Sequence, residues 1–197
     1  MSGSLRILTE KIKPQKHDHF DIAFTNQIIL RFKDPRRFGA FLWIDQDPFQ
    51  HHLLKNLGPE PLTQSFSGDY LYKKASNKTM AVKSFIMNSQ IVSGVGNIYA
   101  AEALFLARIH PLTPAKILTL KQCQQLVKSI KIVLRNAIQQ GGTTLKDFVN
   151  SEGNPGYFAH QLKVYGRDGE PCTHCHSKLS VINIAQRTTV FCKKCQH

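Results

Sequence analysis

The chain has 197 residues, 26 lysines and arginines against 13 aspartates and glutamates, and a formal charge of +13. At 42% hydrophobic it can bury a sizeable core, which excludes wholesale disorder. The charge favours a polyanionic partner, nucleic acid or an anionic surface, over an ordinary basic enzyme. No apolar run approaches the roughly 20 residues of a membrane helix, so no membrane partner is expected. Nothing at the N-terminus resembles a cleavable signal, and the default is a soluble, intracellular protein.

Taken in chain order, "MSGSLRI" puts two small turn-formers ahead of an apolar, strand-like run, Leu5-Arg6-Ile7-Leu8. "FDIAF", "QIILRF" and "FGAFLWI" read as further β segments, with a turn at Thr25-Asn26-Gln27 between the first two. Residues 47–68 are a connector broken by Pro and Gly. The pattern then turns helical, with Met80, Phe85 and Ile86 on one face. "SGVGN" precedes the Ala- and Leu-rich "IYAAEALFLARI", and Asn97 is a good N-cap type there. The clearest helix runs from Thr119 to Gln140, its apolar residues spaced by threes and fours. Thr119 and Gln122 make a capping box, and Gly141-Gly142 stops the helix. A glycine-rich loop, "NSEGNPGYF", leads to a cysteine-rich end.

Cys172, Cys175, Cys192 and Cys195 form two C-x2-C knuckles. Each knuckle directs two thiolates at one centre, and two knuckles supply the four-sulfur shell that zinc prefers. Two disulfides are the alternative, disfavoured in a cytosolic chain. His174 and His176 are close enough to be alternative ligands and are read as solvent-facing. Cys123 is read as a small buried apolar residue.

Three further stretches carry candidate chemistry. The start of the "GVGN" helix offers backbone amides to phosphate, with Lys78 and Lys83 upstream. "DPRRFGA" sets Arg36, Arg37 and Phe38 on a turn. These residues suit either a wedge entering a duplex or a plain turn with a core Phe. "HSKLSVINIAQRTTVF" reads as a hairpin with Arg187 near its tip, either a nucleic-acid contact or a solvated surface charge.

"MSGSLRI", "KHDHFD", "DPRRFGA", "LGPEPL", "GVGNIYAAEALF", "GGTTLKDF", "GYFAHQLKVYGRDGEPC" and "AQRTTVFCKKCQ" together resemble a bacterial formamidopyrimidine-DNA glycosylase over essentially the whole chain. The resemblance implies an α+β fold. Residues 1–46 would be the remainder of an N-terminal β-sandwich, 47–70 a linker, 71–160 a helix–two-turns–helix DNA-binding domain and 161–197 a zinc finger with a β-hairpin. It implies excision of oxidised purines from duplex DNA, followed by cleavage of the abasic site. Met1, Arg36 and Phe38 match the wedge that fills the void left by the extruded base. His17, Arg36, Lys78, Lys83, Asn97, Tyr165 and Arg187 match DNA-gripping positions, and Arg187 also matches a proton donor in the elimination. Ser151, Glu152, Gly153, Asn154, Pro155, Gly156 and Tyr157 match the loop that closes over the lesion. The family's N-terminal proline nucleophile, its neighbouring glutamate and an upstream lysine have no match here. The chain is therefore expected to be a C-terminal three-quarters, inactive alone, or else a non-enzymatic remnant that binds damaged DNA. An unrelated zinc-ribbon RNA-binding protein would leave "DPRRFGA" and "GVGNIYA" unexplained. Zinc is the expected cofactor and a bacterial, nucleoid-associated cytoplasmic location is expected. The family is monomeric; this chain is expected to self-associate through uncovered apolar surface.

Overall fold

A computed structural model describes residues 3–143 and 158–197. Two compact units divide the chain: Met1–Gln46 with Ala137–Gln161, and Asp47–Asn136 with Leu162–His197. Among the described residues no helix is long and apolar enough to cross a membrane.

The first unit holds three antiparallel strands, β1 (Ser4–Leu8), β2 (Asp18–Ala23) and β3 (Ile29–Lys33), in the order β1-β3-β2. The expected turn joins β2 and β3: Gln27 has φ 68°, and the Phe24 N–H donates to the Ile28 carbonyl. Pairing Leu5 with Phe32, Ile7 with Leu30, Phe20 with Phe32 and Ile22 with Leu30 puts six apolar side chains on one face. Phe41 lies over Phe20 at 4.4 Å between ring centroids, yet Leu5 and Ile7 stay nearly half exposed. Arg31 occupies the other face. It is buried, forks onto both oxygens of Asp21 at 2.7 and 2.8 Å, and donates to the Ile12 carbonyl at 2.8 Å. The pairing holds the Asp21 carboxyl below its ordinary range and raises Arg31.

"FGAFLWI" was expected as a strand and is not one. Residues 38–44 are outside any ladder, and Trp43 is 93% exposed. Apolar alternation specifies a face to bury, but a strand also needs a partner for its N–H and C=O groups.

The second unit is helical, with the terminal module packed onto it. Helix α1 (Gly68–Ala75) begins inside the expected connector, because the Ser67 hydroxyl caps it by accepting the Tyr70 N–H. Helix α2 spans Val82–Ile86, and Phe85 and Ile86 are buried as anticipated; Met80 lies before the helix. Helix α3 spans Asn97–Ala107 and ends on Arg108 in the left-handed region. Helix α4 spans Leu120–Gln139. Its capping box forms: Gln122 N–H donates to the Thr119 hydroxyl at 3.2 Å, and Thr119 N–H to the Gln122 side chain at 2.9 Å. Gly141 and Gly142 take positive φ and donate to the carbonyls of Ile138 and Ala137, closing the helix. Cys123 is fully buried, and burial pushes its thiol up to about 11. Strands β4 (Ser180–Ile184) and β5 (Arg187–Phe191) form the expected hairpin.

Candidate nucleic-acid interface and metal centre

The two knuckles bracket the hairpin. Their four Sγ atoms all lie within 4.8 Å of one another. Cys172 and Cys195 are 3.9 Å apart, and Cys175 and Cys192 are 3.5 Å apart. A zinc about 2.3 Å from four tetrahedral sulfurs sets edges of about 3.8 Å, so the donors fit the ion. The Ser177 hydroxyl at 3.2 Å holds the Cys175 thiol down to about 6. Burial and the neighbouring thiols push Cys195 up to about 12. A cation at the centre relieves that conflict, because all four sulfurs can then ionise. His174 and His176 are exposed and stand outside the cluster. His174 lies 3.4 Å from the Arg108 guanidinium instead.

The module is held to α3 along its length. Ala101 packs into an apolar cluster with Val164, Leu179, Val190 and the cysteines Cys172, Cys192 and Cys195. The buried Glu102 carboxylate accepts the N–H groups of Lys163, Val164 and Tyr165 at 2.8–2.9 Å. Beyond the helix, buried Gln196 accepts the Cys192 N–H and donates to the Ile109 carbonyl, each at 2.9 Å. This last link ties a zinc ligand's backbone to the helical layer.

At the other end of α3, "SGVGN" turns the chain into the helix. Gly94 has φ 73°, a conformation strained for any residue with a Cβ. The N-cap is Gly96, not Asn97. Asn97 is the first helical residue, and its side chain is engaged elsewhere: Oδ1 accepts from Lys83 Nζ at 2.6 Å, and Nδ2 donates to the Thr188 carbonyl at 3.3 Å. Lys83 is 1% exposed and also donates to Thr189 Oγ1 at 2.6 Å. Burial, and then the Arg187 charge, push its ammonium down to about 8. Arg187 is exposed, directly after a two-residue turn in which Ala185 and Gln186 both have positive φ, 47° and 60°. That is the primed turn suited to a tight hairpin, here made without glycine. A cavity of about 180 Å³ lies between α2 and the hairpin tip, lined by Lys83, Ser84, Met87, Asn88, Ile184 and Arg187. Among the described residues neither Lys83 nor Arg187 is ion-paired with a carboxylate, so the cluster is an anion-seeking one.

In the first unit, the buried Asp34 carboxylate organises "DPRRFGA". It accepts the Gly39 N–H at 2.8 Å and the Arg36 N–H at 3.3 Å. A Cβ on Gly39 would sit 2.6 Å from the Phe32 ring and 3.1 Å from Asp34, so only glycine lets this turn close. Phe38 is 82% exposed with the Arg36 guanidinium 5.5 Å from its ring, which removes the core-Phe reading. His17 has φ 80°, and its carbonyl accepts the Asp34 N–H.

Lys83, Asn97 and Arg187 are thus brought together in the second unit, where Lys78 is exposed and Tyr165 half-buried. Met1 and the loop Ser151–Tyr157 lie outside the described residues. Glu102, Thr189 and Gln196 were not singled out from the sequence. Glu102 alone left a signal, as the one acid in an otherwise apolar helix.

Two outcomes follow from this geometry. Metal analysis is expected to find one zinc per chain, and Cys192→Ser or a strong chelator to abolish it and unfold the hairpin, read by amide exchange across β4 and β5. Zinc uptake is expected to release protons and weaken as pH falls, because the thiols must ionise. Lys83 gives the second outcome. Its folded value, about 8, lies below its ordinary 10.5, so the folded state binds fewer protons between those values. Stability of the zinc-loaded chain is therefore expected to rise with pH over that window, relative to Lys83→Met. The gain is at most about 3 kcal/mol, measured by denaturant melts at either end.

The chain is similar to known proteins over its whole length. The family model described as the formamidopyrimidine-DNA glycosylase H2TH domain matches residues 57–149. The formamidopyrimidine-DNA glycosylase N-terminal domain matches residues 1–41, and the zinc finger found in FPG and IleRS matches 169–197. Formamidopyrimidine-DNA glycosylases of Legionella pneumophila and Vibrio cholerae are 55% and 56% identical to it, over the whole chain and 72% and 73% of their own length. The crystal structure of the MutM (FPG) protein of Thermus thermophilus superposes with a TM-score of 0.88 at 34% identity, covering all of this chain and 73% of that one. The Lactococcus lactis Fpg in complex with DNA containing an abasic site gives 0.90 at 34% identity, covering all of this chain and 72% of that one. With the zinc-finger match and the four converging cysteines, the chain carries a zinc site on an α+β fold, and it belongs to the formamidopyrimidine-DNA glycosylase family.

Proposed function

We propose that this chain grips duplex DNA bearing oxidised purines or abasic sites, as part of a glycosylase that removes the base and cleaves the backbone. The observation that carries the reading is the cluster of Lys83, Asn97 and Arg187. There a helix start and a zinc-stapled hairpin tip converge, with no carboxylate paired to either cation among the described residues. Arg187 and Asn97 would hold phosphate there, with Lys78, Tyr165 and His17 as further contacts. Arg36 and the exposed Phe38 would enter the stack with Met1, Arg36 pairing with the orphaned base and Phe38 stacking. Base extrusion is needed because the reacting sugar and base atoms are hidden within the duplex.

The chemistry itself needs an unprotonated amine at the sugar C1′, and the family uses an N-terminal proline for it. No residue of these 197 matches that proline. These residues therefore bind and do not themselves form the imine. Arg187 would donate a proton in the elimination once the imine exists.

Titrating the zinc-loaded chain with an 8-oxoguanine duplex tests the grip. Affinity is expected to fall linearly with log salt, and Arg187→Ala to weaken it roughly tenfold or more on every sequence. Affinity indifferent to salt would remove the phosphate assignment. Borohydride is expected to trap no adduct with the chain alone and to trap one when a peptide beginning Pro-Glu-Leu-Pro-Glu is supplied. No adduct under either condition favours the non-enzymatic binder; an adduct with the chain alone overturns the division of labour.

The half-exposed sheet face favours self-association of this 197-residue chain. Sedimentation is expected to show concentration-dependent oligomers that Ile7→Lys reduces. A monodisperse monomer at high concentration would show that the face is self-sufficient.

A further inference from the structure

Resemblance puts Lys83 among the phosphate-gripping residues, but its surroundings give it a different task. An ammonium has three N–H donors and no acceptor. Lys83 has three acceptors in reach inside the protein: Asn97 Oδ1 and Thr189 Oγ1 at 2.6 Å, and the Thr188 carbonyl at 3.4 Å. At 1% exposure it has almost no surface to offer a ligand.

What a pure donor does is orient its neighbours. Because Lys83 can only donate, it claims Oδ1 of Asn97 and turns the Nδ2 group away. One Nδ2 hydrogen reaches the Thr188 carbonyl at 3.3 Å, and the second remains for an acceptor outside. The same logic fixes Thr189. Its hydroxyl accepts from Lys83, so its single proton must go elsewhere, and the Arg187 carbonyl is in reach at 3.2 Å. A polarised chain runs from Lys83 through the Thr189 hydroxyl to the backbone of Arg187.

We propose that Lys83 and Thr189 are positioning residues: the buried ammonium sets the Asn97 amide and, through Thr189, the Arg187 backbone, so that these two meet a DNA phosphate in a preset geometry while Lys83 itself does not touch it. This rests on the reading that Asn97 and Arg187 grip DNA. It separates the zinc hairpin's two contributions, a cation at the tip and a hydroxyl behind it.

Thr189→Val in the zinc-loaded chain is the direct test, because it keeps every cation and nearly the same volume. Duplex affinity is expected to fall roughly tenfold, within the range for a hydrogen bond to a charged group, with zinc content unchanged. Lys83→Met is expected to weaken binding in the unmodified chain but to add less than about twofold to the Asn97→Ala, Thr189→Val double variant. Unchanged affinity in Thr189→Val overturns the proposal. So does a Lys83→Met effect that persists in full in the double variant with a salt slope reduced by about one, the mark of a direct phosphate contact. A second readout is independent of DNA. The Asn97 side-chain amide is expected to give two well-separated proton signals that converge in Lys83→Met; signals unmoved by that change overturn the proposal. Failure of the unmodified chain to bind DNA at all would instead refute the functional reading, leaving the amide signals to decide the positioning one.

Discussion

Helix α3 is buried from two directions, and the second unit is organised around that fact. It packs against both α2 and β5. A helix in that position cannot afford a polar stripe, which accounts for the run of Ala and Leu from Ile98 to Ala107. Ala100, Ala101 and Ala103 are small enough for close approach, and Ala101 enters the same apolar cluster as three of the zinc-binding cysteines. The metal centre is therefore not a separate bead at the end of the chain. Its sulfurs form part of the surface on which α3 rests.

Burial on that scale leaves polar groups to satisfy, and each one becomes a tie. Glu102 would be costly inside an apolar contact, yet three backbone N–H groups converge on it and make it the clamp for residues 163–165. Gln196 satisfies both a knuckle N–H and a helical carbonyl. Lys83 is the extreme case: a buried cation with another cation nearby, kept in place by side-chain oxygens on α3 and β5. Its lowered proton affinity follows from burial first and the Arg187 charge second.

The first unit solves a similar problem on a smaller scale. Asp34 is buried so that a turn bearing two arginines and an exposed aromatic keeps one shape. Arg31 on the sheet is matched by Asp21 and Asp18. Asp34 thus fixes the turn and Arg31 is matched on the polar face of the sheet, while the apolar face retains half-exposed Leu5 and Ile7.

Local chemistry was legible in the sequence. The cysteine spacing specified four sulfurs around one ion, since knuckle geometry is confined to four residues. The capping box at Thr119 and the Gly141-Gly142 stop are likewise short-range, and they formed where the sequence placed them. The helix start at "GVGN" and the hairpin tip at Arg187 could be located as single elements. Three features depended on distant partners and could not be read the same way. "FGAFLWI" had the alternation of a strand, but only a neighbouring edge could make it one. Asn97 had the chemistry of a cap, yet Lys83, brought in from α2, engaged its side chain in another task. Lys83 itself looked like a surface cation suited to phosphate. Only packing decided its burial, because whether an ammonium meets water or a threonine hydroxyl depends on residues some 100 positions away.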